Sequence, residues 1–312
     1  MTLFQLRLGN LNASYQNVYQ HNNENLKERG FIMKAKTFIQ LFGGVILILM
    51  FLTACGGGGI ETNFSTNTDG IINIQNDELE FFADATFTRE LQLTNHLRIR
   101  LEAFRGDIDI EGRDDVGSII VTAQKWVWSD SLKDAKLHLN DLEILVTDQI
   151  DEVLIQTVQP KDRQGRKYIV DYHIILPSNL ETEVTLTNGD ISILNIQNSL
   201  LVDDVNGNVS LSNIVGNAVV DLVNGSINGT VVLPLNGEIR LSTDNGNIDL
   251  SIPTSTSAKF AASVTVGSIK SSNLEFDAAV KTAQSLTGTL DIGEGVIDLY
   301  SNNGSIRVVG FD

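Results

Sequence analysis

Three closely spaced carboxylate pairs, Asp107/Asp109, Asp114/Asp115 and Asp203/Asp204, have the side chains that acid–base or metal chemistry needs. In a chain with 39 acidic residues such pairs also arise by chance, and turn caps and solvated faces account for them. Asp244-Asn245-Gly246-Asn247 starts like a calcium loop but lacks the alternating oxygen ligands and the distal Glu. His96, His138 and His173 stand far apart, the first and last in expected strands and His138 in an expected helix, at no spacing that shares a metal. No Gly-x-Ser-x-Gly elbow and no phosphate-binding Gly-Lys-Ser/Thr loop occurs. Arg105-Gly106-Asp107 spells an integrin tripeptide, yet here Gly106 has a turn to make and Asp107 opens a strand. Trp126 and Trp128 fall on one side of a strand, either as a sugar-stacking platform or as cover for the open end of a core. The core reading is the expectation. The sequence therefore assigns no catalytic residue, no cofactor and no metal ligand.

Cys55 is the only cysteine, which excludes a disulfide within the chain and a Cys-based metal site. Its surroundings suit another use of a thiol. Met33-Lys34-Ala35-Lys36 leads into an apolar run from Phe38 to Leu52, and Leu52-Thr53-Ala54-Cys55 closes it, in the charged, apolar, small-residue order of a secretory signal peptide. The last four residues resemble a bacterial lipobox, where diacylglycerol is transferred to the sulfur and a peptidase cuts before the cysteine. Two or three acyl chains then anchor a protein stably. Gly56-Gly57-Gly58-Gly59 forms a flexible tether behind it. The run Phe38–Leu52 is short for a membrane span and is interrupted by Gln40, Gly43 and Gly44. The expected organisation is a mis-start or extended leader (1–32), a lipoprotein signal peptide (33–54), a tether (55–66) and one folded domain (67–312).

Net charge is −17 for the whole chain and −20 for residues 55–312, with 17 basic and 37 acidic side chains. Such a surface repels nucleic acid and anionic headgroups, so neither is expected as a ligand.

The elements that position these residues are repeats. Leu186–Asp203 (LTNGDISILNIQNSLLVD) and Asp204–Asp221 (DVNGNVSLSNIVGNAVVD) align without gaps, with seven of eighteen positions identical, Asn195/Asn213 and Ile196/Ile214 among them. A third block opens in phase at Leu222-Val223-Asn224-Gly225-Ser226-Ile227. Looser copies follow at Asn236-Gly237-Glu238-Ile239, Asn245-Gly246-Asn247-Ile248, Val266-Gly267-Ser268-Ile269 and Asn303-Gly304-Ser305-Ile306. Each unit alternates apolar and polar residues around a corner that Asn and Gly tolerate. An antiparallel meander of Asn-Gly hairpins is one geometry. The constant period favours the other, a β-solenoid whose coils stack Ile on Ile and Asn on Asn.

Ahead of the repeats, Leu91–Leu101, Gly106–Glu111, Ser118–Ala123, Val153–Val158 and Tyr168–Leu176 alternate as strands. Ser129–Asn140 is the one expected helix, capped by Ser131 or Asp130, with Leu132, Ala135, Leu139 and Leu142 on one face. Phe104-Arg105-Gly106-Asp107-Ile108-Asp109-Ile110, then Ile120-Val121-Thr122-Ala123 before a short helix, then Asp171-Tyr172-His173-Ile174-Ile175-Leu176-Pro177 and the tandem Asn-Gly units carry a resemblance. From about Leu91 to Asp312 the chain resembles the putative-adhesin domain family of bacterial envelope proteins, a family of unknown function. That resemblance implies a parallel β-helix-like fold and an envelope location, and no catalytic residues.

The expected protein is mainly β, a solenoid with one short helix, membrane-anchored through lipid on Cys55. Its solenoid faces bind a protein or glycan without catalysis. A polysaccharide-acting β-helix enzyme would need acid, base and basic residues on one lateral face, and the repeats have almost no Lys or Arg. A regulatory partner in an envelope-stress pathway has no residue signature that separates it from an adhesin.

Overall fold

The computed structural model describes side chains for residues 81–94 and 96–312. Before them it describes only the backbone of four strands, β1 (Lys34–Phe42), β2 (Val45–Thr53), β3 (Ile60–Thr66) and β4 (Ile72–Glu78). Cys55 and Gly56–Gly59 lie outside the described residues. The chain divides into two compact units, residues 1–82 with 128–135 and residues 83–127 with 136–312.

In the first unit β1 pairs antiparallel with β2, and β3 with β4. The rings of Phe82 and Trp128 lie 4.9 Å apart at 39°. Helix α1 (Leu132–His138), whose residues from Lys136 on belong to the second unit, is shorter than its sequence pattern and ends in a single 3-10 turn, Leu139–Asp141. Ser131, not Asp130, caps it: its Oγ accepts the Asp134 N–H at 3.2 Å and its carbonyl the Ala135 N–H at 2.9 Å. Ala135 and Leu142 are buried, whereas Leu132 is exposed.

The second unit is the solenoid. It contains β5 (Phe81–Gln92) from Ala83 onward, β6 (Arg98–Glu102), β7 (Ile108–Arg113), β8 (Ser118–Ser129) as far as Val127, β9 (Glu143–Asp148), β10 (Glu152–Val158) and β11 (Lys167–Pro177). Then come β12 (Glu181–Asn188), β13 (Ile191–Leu194), β14 (Leu200–Asn206), β15 (Val209–Val215), β16 (Ala218–Asn224), β17 (Ile227–Val232), β18 (Glu238–Asn245) and β19 (Ile248–Pro253). The last are β20 (Ala258–Val266), β21 (Ile269–Ser272), β22 (Asp277–Lys281), β23 (Ser285–Leu290), β24 (Gly295–Asn303) and β25 (Ile306–Phe311). Leu91–Leu101 is not one strand: β5 stops at Gln92 and β6 starts at Arg98.

Each repeat places its first strand in an eleven-stranded sheet, here sheet I, and its second in a ten-stranded sheet, sheet II. Coils stack in parallel register: Asn188 faces Asn206, Asn206 faces Asn224, and Ile191 faces Val209. The meander is thereby excluded for the repeats. Antiparallel pairing occurs away from the repeated corners, as in β9–β10, β20–β23 and β22–β23.

Chain order and stacking order differ in two places. The β6–β7 coil lies between β10–β11 and β12–β13, and the last coil, β24–β25, lies between β18–β19 and β20–β21. Asn236-Gly237 is a further departure. It is no coil corner: Gly237 donates to the Pro234 carbonyl at 2.9 Å, closing a turn that lengthens the spacing between corner asparagines from 18 to 21 residues.

Alternation explains the core. Ile108, Ile191, Val209, Ile227, Ile248, Ile306 and Ile269 occupy one position in successive coils and are all buried. Burying each side chain stabilises by roughly 1.5–3 kcal/mol. Ile196 and Ile214 are buried together at the opposite bend, where Val215 donates to the Ile196 carbonyl at 2.8 Å.

Candidate functional site: corners and lateral faces

Where each coil passes from sheet I to sheet II, Asn-Gly-X-Ile builds three parallel ladders. The asparagines bond amide to carbonyl: Asn224 Nδ2 to Asn206 Oδ1 at 2.9 Å, Asn245 to Asn224 at 2.9 Å, and Asn303 to Asn245 at 3.0 Å. At X, the backbone N–H of each residue donates to the side-chain oxygen of the neighbouring coil. The ladder starts at Asp171 and passes through Asp107, Asp190, Asn208, Ser226, Asn247 and Ser305 to Ser268, at 2.7–3.3 Å per step. X must therefore be short and carry an acceptor, which Asp, Asn and Ser do.

The glycines between these ladders have no room for a side chain. A Cβ on Gly207 would lie 1.8 Å from the Gly189 carbonyl oxygen, and one on Gly225 would lie 1.7 Å from that of Gly207, at φ +154° and +144°.

The ladders decide the residues that the sequence singled out. Asp107, the acidic end of the Arg-Gly-Asp triplet, is committed to the corner: its N–H is bonded to Asp171 and its Oδ1 to the Asp190 N–H. The oxygens and amides of Asn245 and Asn247 are likewise bonded between coils, so the apparent calcium loop is a coil corner. Asp114 accepts from Ser178 Oγ and Gln197 Nε2. Burial raises the pKa of Asp171, and the charges of Asp107 and Asp109 add to the effect. Among the described residues no three His, Cys, Asp or Glu side chains gather in a way that would hold a metal.

The histidines are separate. His96 lies between β5 and β6 rather than in a strand, with Nε2 2.7 Å from Asp148 Oδ1. His138 Nδ1 is 2.6 Å from Asp141 Oδ2, and His173 is exposed on β11, opposite Asp109. Trp126 and Trp128 do share one side of β8, but Val127 takes the core side and both indoles are half-buried on the other. The expectation that they cover the core is wrong because the strand alternates with Ile119, Val121, Ala123 and Val127 inward.

Asp203 and Asp204 are not a pair. Asp203 points out beside Asp221, whereas Asp204 points into the core, 1% exposed, in the column Leu186–Asp204–Leu222–Thr243–Ser301. Its Oδ1 accepts the Val205 and Asn206 N–H groups at 2.7 and 3.3 Å, and its Oδ2 has no hydrogen-bond partner. Burial pushes its pKa up to about 6, partly offset by those two N–H bonds. The repeat alignment carried the signal, a carboxylate where the neighbouring blocks have Leu186 and Leu222, and the adjacent-pair reading concealed it.

The outer faces are regular. Across sheet II one row reads His173, Asp109, Ser192, Ser210, Asn228, Asp249, Arg307, Lys270, with short polar residues in its middle and two basic residues at one end. Across sheet I the rows Leu201–Val219 and Val205–Val223 flank Asp203–Asp221.

A family model, Toastrack DUF4097, matches residues 57–309. The chain belongs to the Toastrack DUF4097 family. Similar solved structures include a putative cell adhesion protein from Clostridium sporogenes, at 12% identity and TM-score 0.40, covering 73% of this chain and 100% of the other. A putative adhesin from Bacteroides fragilis has 11% identity and TM-score 0.26, covering 73% and 97%. A putative lipid binding protein from Parabacteroides distasonis has 14% identity and TM-score 0.29, covering 72% and 96%. No curated protein matches the chain.

Proposed function

We propose that this Toastrack protein is a lipid-anchored, non-enzymatic component of the bacterial envelope that binds a protein or glycan through the lateral faces of its solenoid. One observation carries the reading. The polar side chains of the repeat corners are bonded to one another, and the in-register outer rows of short polar residues, such as Ser192, Ser210 and Asn228, are exposed for contact. Repetition of one side-chain type at the strand spacing suits an extended, repetitive partner.

The test is binding of the full-length protein, in detergent, to purified envelope polysaccharides and to surface proteins, with turnover followed in parallel. Ser192→Lys and Ser210→Lys on sheet II are expected to weaken binding at least tenfold with an unchanged unfolding midpoint. Unaltered binding in both, and in Thr185→Lys on sheet I, would reject the lateral faces. Turnover abolished by Asp203→Asn with the fold intact would reject the non-enzymatic reading.

The anchor has its own expected result. Wild type carries a diacylglycerol mass on the peptide beginning at Cys55 and fractionates with membranes, and Cys55→Ser loses both. A wild-type protein without that mass overturns the anchor. No helix among the described residues is long and apolar enough to cross a membrane, which is compatible with attachment by lipid.

A further inference from the structure

Asp204 is the one carboxylate in a column that also holds Leu186, Leu222, Thr243, Ser301 and Val264. The two hydroxyl residues of that column show what a donor does there. Thr243 Oγ1 donates to the carbonyl of Gly225 at 3.0 Å, and Ser301 Oγ donates to that of Gly246 at 2.8 Å; each acceptor is the corner glycine of the adjacent coil. The equivalent acceptor for Asp204 is the Gly189 carbonyl. A Cβ placed on Gly207 would lie 1.8 Å from Gly189 O and 3.2 Å from Asp204 Oδ2, so the two oxygens flank the same point. Two oxygens facing each other in a buried site repel unless one carries a proton.

We propose that Asp204 is a proton-operated latch: as the neutral acid it donates from Oδ2 to the Gly189 carbonyl and ties two coils together, and on ionisation it releases that corner. The surroundings favour the neutral acid. The charges acting on Asp204 are Asp190, at the corner between β12 and β13, and Asp203, on its own strand, and both are acidic. The adjoining strands β12 and β16 present Leu186 and Leu222 to it. Two backbone N–H groups hold Oδ1 and leave Oδ2 as the protonated oxygen.

The direction of the pH effect follows from linkage. The folded protein holds this proton up to about pH 6, whereas an unfolded aspartate releases it near 3.8. Between those values the folded state binds more protons, so stability is full below the lower value and falls as pH rises through the upper. The gap of about two pKa units corresponds to a roughly hundredfold fall in the folding constant.

The experiment compares full-length wild type in detergent with Asp204→Thr, which keeps a donor and removes the titration. Denaturation midpoints are measured from pH 3.5 to 8. The two curves are expected to run together at the acid end, separate between about pH 4 and 6 with wild type the less stable, and stay separated above. Parallel curves across the range overturn the latch. Infrared spectra give a second readout if the Thr variant folds poorly. Wild type is expected to keep a carboxylic-acid carbonyl band above pH 5 that Asp204→Asn lacks, and identical bands in both would reject a neutral Asp204.

Discussion

Ile214→Asp is expected to destabilise the solenoid by about 4 kcal/mol or more, read as a large drop in the urea midpoint of the folded domain. Ile214 has no exposed surface, and it follows Asn213, whose φ of +54° turns the chain and whose Nδ2 bonds Asn195 Oδ1 at 2.8 Å. A carboxylate there enters the apolar core beside the coil that carries Ile196, so it either stays charged at the cost of desolvation or takes a proton. The damage does not stay local. Each coil of a solenoid touches only its neighbours, so loss of one interface splits the stack into two shorter ones. Ile196→Asp has the same expected outcome. A midpoint within error of wild type would show that the coils do not share this column.

The columns were legible in the sequence and their order was not. The eighteen-residue period fixed which residues face which, since Ile191 and Val209 or Asn188 and Asn206 pair as the alignment places them. Every corner, however, uses the same few residue types. Asn303-Gly304-Ser305-Ile306 fits beside Asn245-Gly246-Asn247-Ile248 as well as it would beside any other coil, so local patterning could not reveal that β24–β25 inserts between β18–β19 and β20–β21. The Asn236-Gly237 turn was misread for the same reason. The dipeptide reports a tolerance for positive φ, which Asn236 shows at +57°, and a coil corner is only one place that uses it.

The candidate site was less legible because side-chain direction depends on strand phase. A one-residue change of phase moves a side chain from face to core. That is why Trp126 and Trp128 turned out to face away from the core, and why the neighbours Asp203 and Asp204 belong to opposite surfaces of sheet I. Once phase is known, the corner acids explain themselves as acceptors for the next coil's N–H. The acidic composition, read as a solvated surface, thus has in part an internal use, in the ladder through Asp171, Asp107 and Asp190.

The corner glycines set the tightest constraint of all. Gly225→Ala is expected to cost more than about 3 kcal/mol, from two separable causes. One is backbone conformation, because an L side chain rarely adopts the φ of +144° found there. The other is space: the new Cβ falls 1.7 Å from Gly207 O, a backbone atom that cannot move without breaking the bond from Gly207 N to Asn224 O at 2.9 Å. Gly165→Ala separates the two. Gly165 also has positive φ, +82°, but nothing lies within 4 Å of its Cβ position, so its expected cost is only the conformational part, about 1 kcal/mol. Urea unfolding of both variants against wild type checks the difference. If Gly225→Ala cost no more than Gly165→Ala, the coils would have to be able to slide apart at this corner, and the close glycine stack would not be what fixes their spacing.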